Sequence, residues 1–233
     1  MKKSITNKLF IKLSKILGYE IIDQNNFNSP TLQKELNEDL SIINKKSIVL
    51  PLGEVKITKK VNSILIIFRT NTNVEIWDQN KKRIFEKPKI EYSLRALNSL
   101  IKSIIFSKTK YPDLKFKIII VDDNSNIENL DKVKKIIEKS SLDISITALD
   151  LGKYKKTIKQ QKNEQTFSNL ASLLQSFELG KEFGEDLIFF VEDDYLHFEP
   201  MIEEMIASYE RIASQLKKDI FMCPADYPYL YMD

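Results

Sequence analysis

Three short, nearly uninterrupted apolar runs, each ending abruptly in polar or acidic residues, constrain this chain more than any other feature. They are SILIIF at Ser63–Phe68, FKIIIV at Phe116–Val121 and LIFFV at Leu187–Val191. Runs of this length suit strands buried on both faces of a sheet. Between them lie stretches with helical spacing. Ile90–Ile105 places Leu94, Leu97, Ile101 and Ile104 on one face, and Leu130–Glu138, Phe167–Phe177 and Pro200–Lys217 repeat the pattern. Asp143–Ala148 alternates as a further strand, and Ile220–Cys223 is expected to be a fifth. Strand alternating with helix predicts an α/β domain with a mostly parallel sheet and right-handed crossovers. Ligands in such sheets bind beyond the carboxyl ends of the strands.

The residues at those ends are Arg69-Thr70-Asn71-Thr72-Asn73, Asp122-Asp123-Asn124-Ser125-Asn126 and Glu192-Asp193-Asp194-Tyr195. Two carboxylate clusters on one rim repel each other unless a positive charge lies beside them. A divalent cation on a diphosphate supplies such a charge. Along a strand alternate side chains share a face, so Glu192 and Asp194 are expected to point one way and Asp193 the other. Composition narrows the chemistry. With 5 Gly the chain carries neither GxGxxG nor GxxxxGK[ST], so no glycine-rich phosphate loop is available. One Cys (Cys223) and one His (His197) rule out an internal disulfide and multi-Cys or multi-His metal sites. Any metal must therefore be held mainly by oxygen, which favours Mg²⁺ or Mn²⁺. A net charge of +3 from 36 basic and 33 acidic residues is not that of a nucleic-acid binder.

At these residues a family resemblance enters. FKIIIVDDNSN followed by DLIFFVEDDYLHFEPMIEEM resembles the paired signatures of GT-A fold glycosyltransferases, especially inverting enzymes of the family 2 type. The EDD form of the second (DxD) motif is also similar to that of the N-acetylglucosaminyltransferase I group. The resemblance covers Ser63 to Asp226 and implies a Rossmann-like nucleotide-diphospho-sugar transferase fold acting on a UDP-sugar with Mn²⁺ or Mg²⁺. It implies that Thr70 lies against base or ribose, that Asp123 accepts a bond from uracil, and that Asp122 supports the loop. Asp193 would contact ribose or sugar, Asp194 would bind the metal with Glu192 as a further ligand, and Asn169 would face the donor. Arg69 reads as a diphosphate or base contact, or as a surface ion pair. His197 either reaches the metal or stands behind its ligands. The family's general base, beyond the second motif, has no match here, and Asp226 in the Tyr-rich tail CPADYPYLYMD is its sole candidate.

Residues 1–60 read as an N-terminal extension and 61–233 as the nucleotide-sugar domain, with its acceptor side incomplete and the C-terminal part truncated. In the extension Leu9, Phe10, Leu13, Ile16 and Leu17 line one helical face opposite Lys2, Lys3, Lys8, Lys12 and Lys15. Such a helix either lies on an anionic membrane surface or packs on the domain. The location expected is cytoplasmic, with peripheral contact at the inner membrane face, and the acceptor a glycan or lipid-linked saccharide of the cell envelope. Trp77 and Tyr92 are candidates for sugar stacking. Lys153, Lys155, Lys156, Lys159 and Lys162 form a basic loop, and Cys223 reads as a small buried hydrophobe. Two other classes fit parts of the pattern. IIIVDDNSNIENL resembles the opening of a receiver domain with its Mg²⁺-binding acid pair, and a non-catalytic module could keep the fold alone.

Overall fold

The computed structural model describes residues 10, 12–14, 16–17, 55–73, 87–158 and 163–224. The elements run β1 (Ser63–Thr70), α1 (Lys89–Lys108), β2 (Lys115–Asp122), α2 (Ile127–Ser140), β3 (Ile144–Ala148), α3 (Leu151–Tyr154), α4 (Glu164–Phe183), β4 (Leu187–Glu192) and α5 (Met201–Leu216). The four strands form one sheet in the order β3-β2-β1-β4, and every pairing is parallel. This is the α/β class expected, a parallel sheet flanked by helices in the Rossmann-like manner.

The order shows how the sheet is wound. From β1 the chain moves outward to β2 and β3, then returns past β1 to add β4 on its far side. Right-handed crossovers place α1 and α2 on one face and α4 on the other. Side chains agree with that layering. Leu65, Ile67, Ile119 and Val121 form a cluster joined by Leu179 of α4, while the alternate residues Ile64, Ile66, Phe68, Ile118 and Ile120 are buried on the opposite face. The reversal lies between β1 and β4, and crevices at such switch points are where doubly wound sheets take ligands.

The two central strands behave as their sequences predict, with burial continuing to Thr70 and Asp122. LIFFV does not. As an edge strand β4 is covered unevenly, and Ile188 and Phe190 remain about 40% exposed. Phe190 meets Phe177 of α4 edge-on at 5.1 Å. The passage from α4 to β4 is tight enough to require Gly184, since a Cβ there would lie 2.6 Å from the Gly180 carbonyl oxygen. The fifth strand expected at Ile220–Cys223 does not form. The segment runs as irregular chain, Phe221 is fully exposed, and Cys223 is exposed rather than buried. Four apolar residues before Pro224 give no period that separates strand from coil. The basic loop begins instead with the short helix α3, capped by Asp150, whose carboxylate accepts the Lys153 amide at 3.1 Å.

The chain divides into two compact units, one of residues 60–208 with 224–233 and the other of 1–59 with 209–223. Residues 209–223 thus group with the N-terminal part. In that smaller unit the Thr58 and Lys59 amides donate to Ser214 Oγ at 2.9 and 3.0 Å. Residues 10, 12–14 and 16 are helical, with Phe10, Leu13, Ile16 and Leu17 exposed. No helix among the described residues is long and apolar enough to cross a membrane. Trp77, Lys159, Lys162 and Asp226 lie outside the described residues.

Candidate functional site

Register brings the strand-end residues together. Arg69 and Glu192 are paired across β1 and β4, and Thr70 is paired with Asp122 across β1 and β2. Paired residues on parallel strands share a face, so the Arg69–Glu192 pair looks toward α4 while Thr70 looks toward α1. The Arg69 guanidinium forms an ion pair with Glu192 and donates from Nη1 to Asn169 Oδ1 of α4 at 3.2 Å. Arg69 thus ties β1, β4 and α4 into one wall.

The opposite wall centres on Asp193, which is almost fully buried. Its Oδ2 accepts the Thr70 hydroxyl at 2.7 Å and the Ser93 hydroxyl at 2.5 Å, and its Oδ1 meets the Lys89 ammonium at 2.6 Å. A buried carboxylate satisfied on both oxygens is a structural anchor. Asp194 follows in the turn, is partly exposed, and stands 3.7 Å from the same ammonium. The expectation that Glu192 and Asp194 share a direction therefore fails in detail. The strand ends at Glu192, so the period of two does not extend to Asp194. Glu192 pairs with Arg69 while Asp194 turns back toward Lys89.

The third side is an asparagine lattice between the β1 and β2 loops. Asp122 braces its own loop by accepting the Ser125 amide on Oδ2 at 3.1 Å. Its other oxygen is buried without a hydrogen-bond partner. Burial pushes this carboxyl above its ordinary value, opposed by the Ser125 bonds and reinforced by the charges of Asp123 and Asp193. Asp123 receives Asn71 Nδ2 at 2.9 Å and the Ser168 hydroxyl, both on Oδ2. The Thr72 amide donates to Ser125 Oγ at 3.1 Å and Asn129 Nδ2 to Thr72 Oγ1 at 3.0 Å. Asn124 makes the bend with φ 57°, a left-handed conformation that asparagine tolerates better than most residues.

An open cleft lies between these walls. Its charged lining is Arg69 and Lys89 against Asp123, Glu192, Asp193 and Asp194, and Gln165 and Ser172 of α4 complete one side. Four carboxylates against two cations leave the cleft negative, which opposes a bare diphosphate. Among the described residues no three acidic, His or Cys side chains converge as a ready-made metal cage. The donor set nevertheless suits a cation of the Mg²⁺ type. Such an ion commonly takes one or two carboxylates and completes its shell with phosphate oxygens and water. Asp194 and Glu192 are the exposed candidates.

His197 lies elsewhere. Its Nδ1 is 3.2 Å from Ser99 Oγ, its amide donates to the same hydroxyl at 3.0 Å, and its ring stands edge-on to Phe189. Burial holds the imidazole below its ordinary value of about 6.5. A group whose folded value is depressed contributes stability above its unfolded value and loses it as pH falls through the folded one. Wild-type protein should therefore lose thermal stability through this residue between pH 7.5 and pH 5. His197→Gln should lack that component, and identical pH profiles for the two proteins would refute it.

Sequence reasoning missed Lys89, Ser93 and Ser168, and it placed Asn71 at the rim without a role. One signal for Lys89 was available. A lysine at the first residue of a helix opposes the macrodipole and calls for a nearby anion.

No protein-family model and no curated protein matches the chain. Among solved structures the chain is similar to one titled "Crystal structure of S. aureus TarS 1-349", with 18% identity and a TM-score of 0.36. The overlap covers 62% of this chain and 31% of that one. The likeness is too slight to bear on function.

Proposed function

We propose that this chain binds the nucleoside diphosphate of a sugar donor in the cleft between β1 and β4 and transfers the sugar to an acceptor hydroxyl. The observation that carries the reading is the convergence of Arg69, Lys89, Asp123, Glu192 and Asp194 at the switch point of a doubly wound sheet. In this reading Asp123 Oδ1 receives the base N–H while Asn71 and Ser168 hold the carboxylate still. Arg69 and Lys89 approach the diphosphate from opposite walls, and Asn169 orients the guanidinium. Thr70 and Asp193 do not touch the donor directly. They fix the turn that aims Asp194. Mn²⁺ or Mg²⁺ on Asp194 would neutralise charge on the departing diphosphate, while Glu192 stays with Arg69 on the facing wall. The acceptor oxygen attacks the anomeric carbon, its proton passes to a base such as Asp226, and the nucleoside diphosphate leaves. Inversion, a UDP donor and a hexosyl or N-acetylhexosaminyl group rest on the motif resemblance alone.

We infer peripheral membrane contact through residues 1–19, supported by the lysine-rich sequence and the exposed Phe10, Leu13, Ile16 and Leu17. A lipid-linked acceptor would suit that placement. The donor-site reading is tested by calorimetry of UDP on the full chain, with Mn²⁺ or with chelator. The expected result is binding that Mn²⁺ strengthens at least about tenfold, roughly 1.4 kcal/mol. A folded chain that takes up neither UDP nor GDP with Mn²⁺ present would overturn it.

A further inference from the structure

Lys89 stands where a cation is needed and does so at a poor location for a lysine. It is the first residue of α1, against the helix dipole, and its side chain is nearly buried. Its ammonium lies 2.6 Å from Asp193 Oδ1 and 3.7 Å from Asp194 Oδ2. The two contacts differ in kind. Asp193 is saturated, with Thr70 and Ser93 on its second oxygen. Asp194 is about two-fifths exposed and lies beyond hydrogen-bond range of the ammonium.

We propose that Lys89 is a resident counter-ion that guards Asp194 before substrate binds and yields it only when a divalent cation arrives with the diphosphate. The proposal rests on the reading that Asp194 carries the metal. An ammonium 3.7 Å from the carboxylate repels a divalent ion approaching the same oxygen. Metal alone therefore binds poorly. A metal–diphosphate pair brings anionic oxygens to the ammonium, which has three donors and can keep one on Asp193 Oδ1 while another turns toward the ligand. Metal and nucleotide consequently bind together, and the site avoids holding a metal without its substrate. The sequence poses the problem of adjacent carboxylates on one rim. Lys89 solves it in the unliganded state, and the metal solves it in the loaded one.

The test is binding of Mn²⁺ alone, followed by calorimetry on the full chain, in wild type, Lys89→Met and Lys89→Arg. Lys89→Met should bind Mn²⁺ alone at least about tenfold tighter than wild type while binding UDP with Mn²⁺ more weakly. Lys89→Arg keeps the charge and should stay near wild type in Mn²⁺ affinity. If Lys89→Met does not fold, the double variant Lys89→Met/Asp193→Asn removes the buried pair together and should still exceed wild type in Mn²⁺ affinity. Equal or weaker Mn²⁺ binding by the folded variant, beside a wild type that binds UDP with Mn²⁺, overturns the guarding role and leaves the donor site standing. A wild type that takes no UDP with Mn²⁺ overturns the donor site itself, and this proposal with it.

Discussion

Asp193→Ala is expected to cost about 3–5 kcal/mol of stability, the largest effect of any change at the rim. The substitution affects three groups at once. The Lys89 ammonium loses its close partner in a nearly buried position, the Thr70 hydroxyl loses its acceptor, and the Ser93 hydroxyl keeps only the longer bond to the Lys89 carbonyl at 3.3 Å. Breaking a buried pair by removing one member costs more than the pair contributes, because the remaining charge is left desolvated, here with only Asp194 at 3.7 Å beside it. At roughly 2–4 °C per kcal/mol for a chain of this size, the thermal midpoint should fall by about 10 °C. Asp193→Asn keeps an acceptor for the hydroxyls and should recover part of that loss. A midpoint within 2 °C of wild type for Asp193→Ala, a shift of less than about 1 kcal/mol, would show that the buried network does not anchor the turn.

The neighbouring carboxylate should behave in the opposite way. Asp194 is partly exposed and its nearest cation lies at 3.7 Å, so Asp194→Ala should change stability by less than about 1 kcal/mol. Its effect falls on function. Loss of a ligand to a metal that stabilises the leaving group removes several kcal/mol of transition-state stabilisation. Turnover should therefore drop by at least about a hundredfold, and the Mn²⁺-dependent part of UDP binding should disappear. Unchanged Mn²⁺-dependent binding in Asp194→Ala would move the metal to another carboxylate, Glu192 first. One residue apart, the two aspartates thus separate by readout. The first is read in the melting curve and the second in the binding isotherm.

Much of the fold was legible because burial on both faces leaves a direct mark. SILIIF and FKIIIV are apolar at nearly every position because helices cover both sides of β1 and β2, and both became central strands. LIFFV bears the same mark yet lies at an edge with Ile188 and Phe190 exposed, since composition records apolarity and not the number of neighbours. Ile220–Cys223 shows the limit for short runs, where four residues carry no period.

For the site, the sequence by itself determined which residues stand at the carboxyl rim, because each comes just after an apolar run. Arg69, Thr70, Asp122, Asp123, Asp193 and Asp194 are all found there. Only the tertiary structure decided what each one touches. Strand register set Arg69 beside Glu192, and the layering of α1 and α4 on opposite faces sent Asp193 toward Ser93 and Arg69 toward Asn169. The end of β4 at Glu192 released Asp194 from the strand's alternation. Lys89, more than a hundred residues before its carboxylates, entered the site through the winding of the chain. Local pattern fixes a residue's place along an element, whereas charge pairing depends on distances that only the packed sheet and helices create.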